Sequence, residues 1–376
     1  MTLSRLASSF RDPSGFLFEE KGRLYRYIAA RYAADYEHFL SSGLCQELIS
    51  GGFLIGHKDV EKSASAANAY RVIAPERLDF VSYPYEWSFS QWKDAALLTL
   101  AVQKKALAKG MTLKDASAYN VQFFKGRPLW IDTLSFKKWD GEPWVAYRQF
   151  CQHFLAPLAL MSHVDPTLGQ LLRVHLDGIP LENASKLLPQ RTRWDLHLMI
   201  HLHAHARAQA KHASYPAARP SAKLPLSALL GLADNLETAV SKLKIKSAKT
   251  VWSHYYSDEK SYEPSVVWDL GANTGLFSRL ASDRGIFTVS FDMDPACVDF
   301  NYRESVKNGE QKLLPLVMDL TNPSPALGWG HEERLSLADR WAADLVLALA
   351  LVHHLALTNH LPFENMARFF SRLCRN

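Results

Sequence analysis

The stretch 266-VVWDLGANTGLFSRL-280 decides how the second half of this chain folds. An apolar run ends in Asp269. Small and polar residues follow, with glycines at 271 and 275, and then an amphipathic segment begins. A strand, a tight corner and the first turn of a helix fit that order. Glycine at such a corner takes positive φ without strain and lets the backbone approach a ligand closely. In a doubly wound sheet, ligands bind beyond the carboxyl ends of the strands. The dinucleotide fingerprint G-x-G-x-x-G is not matched, because Ala272 and Gly275 stand at other spacings.

Working outward, "FTVSFDMD", "LLPLVMDL" and "ADLVLALAL" read as further strands, and "PACVDFNYRESVKNG" reads as a helix. The alternation is β-α-β-α-β, which predicts an α/β unit with a parallel sheet. The second strand ends at Asp292 and the third at Asp319, so both carboxylates stand at strand tips. A carboxylate has two acceptor oxygens and can receive the two neighbouring hydroxyls of a ribose.

These residues together resemble class I S-adenosylmethionine (SAM)-dependent methyltransferases, over roughly residues 255 to 358, and in particular a bacterial, nodulation-protein-related type. The resemblance implies a Rossmann-like fold, SAM as cofactor, and methyl transfer to a small-molecule acceptor. It places Asp269, Gly271, Ala272, Asn273, Thr274 and Gly275 around the cofactor. Asp292 would take the ribose, chosen over Asp294 as the first acid of the pair, with Met293 beside it. Asp319 and Leu320 would meet the adenine, and Ala348 would line the site from the fourth strand. His353 and His354, in "ALVHHL", are the candidate catalytic groups, since a neutral imidazole accepts a proton from a nucleophile. Positioning supplies much of the acceleration of a methyl transfer, so packing at the strand end is the favoured use for them. The Asn/Asp-Pro-Pro-aromatic motif of amine-methylating DNA enzymes is absent. Tyr255, Tyr256 and Tyr262 are candidates to close over the cofactor. A complete sheet of this family has seven strands. Here four are expected, with Asp344 to Ala350 as an exposed edge that favours self-association and leaves catalysis weak.

The preceding residues read differently. "SFSQWKDAALLTLAVQKKALAKGM" predicts a helix with Ser88 or Ser90 at its start and Gly110 at its end. "VQFFKG" and "RPLWIDTLSF" predict a hairpin turning near Gly126. "GRLYRYIAARYAADYEHFL" has roughly helical spacing. Asp115, Asn120 and Asp132 follow the order of a kinase catalytic loop and its metal-binding aspartate. Residues 72 to 160 therefore resemble the small-molecule kinase-like fold. A phosphoryl-transfer enzyme also needs a glycine-rich phosphate loop and an upstream lysine strand, and neither is legible. Alternatives to the methyltransferase are thus a phosphotransferase built on Asp115, Asn120 and Asp132, or a catalytically weak SAM-binding protein. His197, His201 and His205 share a helix face by spacing, but H-E-x-x-H is absent and no metal site is expected.

Composition bounds the rest. The chain has 376 residues, 48% hydrophobic and 22% charged, with net charge +5. It divides into an amino-terminal α+β domain (1–212), a linker (213–225) rich in proline, and a Rossmann-like domain (226–376). The mild positive charge is spread out, so nucleic acid is not indicated. The four cysteines make no CxxC pair, and no apolar segment suits a signal peptide or a membrane span, which points to the cytoplasm.

Overall fold

A computed structural model describes residues 4–61, 66, 68–212, 223–245 and 264–375. The first sheet contains β1 (Ser4–Arg5), β2 (Gly15–Glu20), β3 (Arg23–Ile28), β4 (His57–Val60) and β5 (Arg71–Pro75), in the order β1-β2-β3-β5-β4. All its pairings are antiparallel. Helices α1 (Ala33–Ser41) and α2 (Leu44–Ser50) lie between β3 and β4 in sequence. The helical spacing expected of "GRLYRYIAARYAADYEHFL" is corrected here. Its first part is β3, and a helix begins only at Ala33. Aromatic side chains explain the strand: Tyr27 stacks on Phe16 and Tyr25 on Phe18 across the β2–β3 pair.

Helix α3 (Phe89–Ala108) follows, and its start bears out the capping signal. The Ser88 side chain accepts from Gln91 N, and the Gln91 side chain returns to Ser88 N, a reciprocal cap. Gly110, just beyond, has φ +70°. The chain then forms β6 (Met111–Leu113), the hairpin β7 (Val121–Phe124) and β8 (Arg127–Trp130), and β9 (Phe136–Lys138), which pairs with β6. The hairpin turns at Lys125 and Gly126, both at positive φ. Gly126 is needed for a second reason: a Cβ there would lie 2.3 Å from the carbonyl oxygen of Glu310.

Helices α4 (Tyr147–Phe150), α5 (Ala156–His163), α6 (Leu181–Leu187), α7 (Leu196–Leu198) and α8 (His205–His212) complete the amino-terminal part. Helix α9 (Leu226–Lys242) packs along α3. Most of the expected linker, and Tyr255, Tyr256 and Tyr262, lie outside the described residues.

The last part is a parallel sheet. Strands β10 (Val266–Leu270), β11 (Phe287–Asp292), β12 (Leu313–Val317) and β13 (Leu345–Leu347) stand in the order β12-β11-β10-β13. Helices α10 (Leu276–Ser282) and α11 (Pro295–Asn308) make the crossovers, and α12 (Phe363–Leu373) follows β13. The protein is thus mixed α/β with a parallel sheet. The fourth strand stands at the edge of this four-stranded sheet, as expected. Its expected extent is corrected: it does not run from Asp344 to Ala350, because its ladder ends at Leu347 and Ala350 has φ +53°. Just before it, Ala343 bridges Cys374 in parallel, donating to Leu373 O and accepting from Arg375 N at 2.8 Å each.

One apolar core runs through both parts. Phe80 meets Trp268 and Phe291 edge-on at 5.7 and 6.2 Å. Buried polar contacts cross the same boundary. Ser90 N donates to Asp299, Gln91 Nε2 to Pro315 O, and Tyr302 Oη to Asp94. Arg340 binds Glu86 through two hydrogen bonds of 2.6 and 2.8 Å, with both side chains almost fully buried. No helix among the described residues is long and apolar enough to cross a membrane.

Candidate functional site

Strand β10 delivers Asp269 to the top of the sheet, where it is 2% exposed and accepts from Ser278 Oγ at 2.6 Å. Burial pushes its carboxyl up to about 6, against the Ser278 hydrogen bond, and the neighbouring Asp292 pushes the same way. The corner beyond it is shaped by three positive φ values: +78° at Gly271, +54° at Asn273 and +81° at Gly275. Gly271 N and Ala272 N both donate to Phe291 O, which ties the corner to the tip of β11. A Cβ on Gly275 would come within 2.4 Å of the Asn301 side chain, so only glycine fits this approach. Leu351 sits over Gly271, 3.3 Å from where a Cβ would stand. Thr274 lends its carbonyl to Arg279 at 2.8 Å.

Asp292 ends β11 beside this corner. Its Oδ2 accepts from Asn273 N at 2.7 Å and its Oδ1 from Asp294 N at 2.9 Å. Burial raises its pKa, and these backbone donors oppose the rise. Each oxygen keeps a lone pair for a further donor. Asp294 is committed elsewhere, as the N-cap of α11 accepting from Ala296 N. Met293 between them is exposed. Asn273 Oδ1 is buried without a partner, a group that an incoming donor would satisfy.

Asp319, two residues past β12, accepts from both Thr321 N and Thr321 Oγ1, so its Oδ1 closes its own turn. Leu320 beside it is half-buried. Ala348 directly follows β13 and is half-buried. His353 and His354 are exposed, with ring centroids 4.1 Å apart, on the turn that enters a short π-helical segment (His354–Thr358). The sheet order therefore brings the glycine corner and Asp292 into direct contact, and sets Asp319 and Ala348 at the carboxyl ends of the strands on either side.

A second constellation lies in the amino-terminal part, around a cavity of about 1290 Å³. None of the residues just described lines it. Asp115, Asn120 and Asp132 all do. Arg26 on β3 pairs with Asp132 Oδ1, while Ser135 Oγ donates to its Oδ2 and Leu134 N to its Oδ1. Burial alone would raise the Asp132 pKa, but Arg26 and these donors outweigh it and hold it low. Asp115 accepts from Ser117 N, and burial, then the charge on Asp132, raise its pKa. Arg26 was not legible as a site residue. Its partner Asp132 lies more than one hundred positions away, beyond the reach of any spacing rule.

The loop between β12 and β13 contributes His331 to Leu335 to the lining of the cavity. Arg11 binds Glu333 through two hydrogen bonds of 2.7 and 2.9 Å, and the Arg334 guanidinium lies 4.0 Å from the Tyr119 ring centre.

The histidine row is a structural element. His197 and His201 both contact Asn235 Oδ1, at 3.0 and 2.7 Å, and His201 also meets Tyr147 Oη at 2.8 Å. His205 stacks on Tyr147 instead, because a π-helical segment (Met199–Ala204) shifts the register before it. Among the described residues no cluster of His, Cys, Asp and Glu could hold a metal ion.

No family model matches the chain. Among solved structures, similarity extends to vaccinia related kinase 3, at TM-score 0.31 and 11% identity, covering 65% of this chain and 88% of that one. It extends also to a mutant PknI kinase domain of Mycobacterium tuberculosis, at TM-score 0.28 and 14% identity, covering 60% and 90%. At those scores the geometry above, not the likeness, has to carry any reading. The sequence comparison is stronger: nodulation protein NoeA of Rhizobium meliloti (strain 1021) is 35% identical over 397 aligned positions, spanning 98% of this chain and 83% of that protein. The chain belongs to the family of nodulation protein NoeA.

Proposed function

We propose that the protein is a SAM-dependent methyltransferase acting on a small-molecule acceptor. The observation that carries the reading is the joint between the glycine corner and Asp292. The backbone of Asn273 reaches over to the carboxylate that ends the neighbouring strand, and that carboxylate keeps acceptor capacity on both oxygens. A ligand with two adjacent hydroxyls fits such an acid. The residues present fit the cofactor, including the partnerless Asn273 Oδ1.

When bound, SAM supplies an electrophilic methyl group. Asp292 would hold the ribose, Asp269 stiffens the corner through Ser278, and Asp319 with Leu320 would border the adenine. Ala348, just past β13, would line the site beside them. His353 and His354 stand exposed past β13, where either imidazole can take a proton from an acceptor. Calorimetric titration of the chain with SAM tests the reading. Saturable binding supports it, and absence of binding refutes it.

A phosphotransferase on Asp115, Asn120 and Asp132 is the second reading. The cation on β3 facing Asp132 favours it. Against it, both Asp132 oxygens already accept protein donors, which leaves less for a metal ion.

A further inference from the structure

The amino-terminal cavity is a built site that the methyltransferase reading does not use. Its charge runs against that of the chain. The protein carries net charge +5, yet the acids on the cavity wall outnumber its arginines and lysines. Most of those cations are also committed. Arg26 is held by Asp132, Arg11 by Glu333 and Arg340 by Glu86, and Arg77 lies over the Trp341 ring at 4.1 Å. Among the described residues, no ion pair reaches Asp12 or Asp115.

Two further observations point to an occupant. Thr133 Oγ1, beside Asp132, lines the cavity, is 1% exposed and has no partner. His153, on the same wall and 2% exposed, has a partnerless Nδ1. Burial, then the charge on Arg334, pushes its pKa down to about 4, so the ring is neutral and its bare nitrogen accepts. Unsatisfied buried groups are unfavourable unless something meets them. The wall thus presents carboxylates, a hydroxyl and an imidazole nitrogen, all able to accept an N–H. A metal ion fits poorly, since among the described residues no group of donors is close enough to hold one. An ammonium group needs only acceptors for its three N–H donors.

We propose that this cavity binds a small organic cation, an amine whose ammonium group is held by Asp115 and Asp12. The proposal does not depend on the methyltransferase reading. Its test uses the full chain, with putrescine as probe and butanediol and succinate as neutral and anionic controls, followed by calorimetry. Putrescine is expected to bind saturably, and butanediol and succinate are not. Asp115→Asn and Asp12→Asn should each weaken putrescine at least tenfold. Should the Asp115 variant fail to fold, the Asp12 variant, altered on the β1–β2 loop, decides alone. Butanediol or succinate binding as well as putrescine would overturn the proposal. So would unchanged putrescine affinity in Asp12→Asn, or saturable binding of magnesium with ATP that displaces putrescine.

Discussion

The two candidate sites of this molecule are built in opposite ways. The corner above β10 is made of backbone: three positive φ values and amide groups hold one carboxylate, Asp292, in place. The amino-terminal cavity is made of side chains from distant segments, among them the pairs Arg11–Glu333 and Arg26–Asp132. A backbone site is fixed by local sequence, so it tolerates little at its glycines. A side-chain site depends on the packing of the two parts against each other.

That difference sets the order of the expected effects. The largest concerns the joint between the parts. Arg340→Met leaves the Glu86 carboxylate buried without its cation, and breaking such a pair costs about 3–5 kcal/mol. Chemical denaturation should show this loss, and the double change Glu86→Gln with Arg340→Met should recover much of it. A loss under about 1 kcal/mol would mean the pair is solvated and the parts are less firmly joined than described.

Next is the backbone corner itself. Gly275→Ala must strain a φ of +81° and displace Asn301, for roughly 1–3 kcal/mol of stability. Thermal unfolding measures it. An unchanged midpoint would mean the corner can relax, and would weaken the contrast between a rigid and an adaptable site.

The third effect is one of pH. The folded carboxyl of Asp269 titrates near 6, above the unfolded value of about 3.9. The folded state therefore holds the extra proton between those values, and stability falls as pH rises through that window. Asp269→Asn should flatten the fall, because the amide oxygen still accepts from Ser278 and carries no charge. Denaturation midpoints at pH 4, 5, 6 and 7 check it. A fall of the same size in the variant would assign the titration to another group.

What was legible follows the same division. The glycine corner, the strand order of acids at 269, 292 and 319, the Ser88 cap and the Gly126 hairpin are all local patterns. Local patterns survive folding, because a turn needs its glycine wherever it stands. Three features were not legible. The β3 strand hid behind a helical spacing of aromatics that in fact pair across a hairpin. The fourth strand read as a long buried run, but its three paired residues are only half-buried and its end turns at Ala350. Arg26 and Glu333 matter through contacts with residues more than one hundred positions away, and no spacing rule reports such a contact.

The central claim is that the backbone corner with Asp292 binds SAM. Its most direct test is a calorimetric titration with SAM, run on the native chain and on Asp292→Ala. Hydrogen bonds to a charged group are worth roughly 1.5–3 kcal/mol each, so losing those from two ribose hydroxyls should weaken binding at least tenfold. The account expects saturable binding by the native chain and that loss in the variant. Equal affinity in both, or no binding by the native chain, would contradict it.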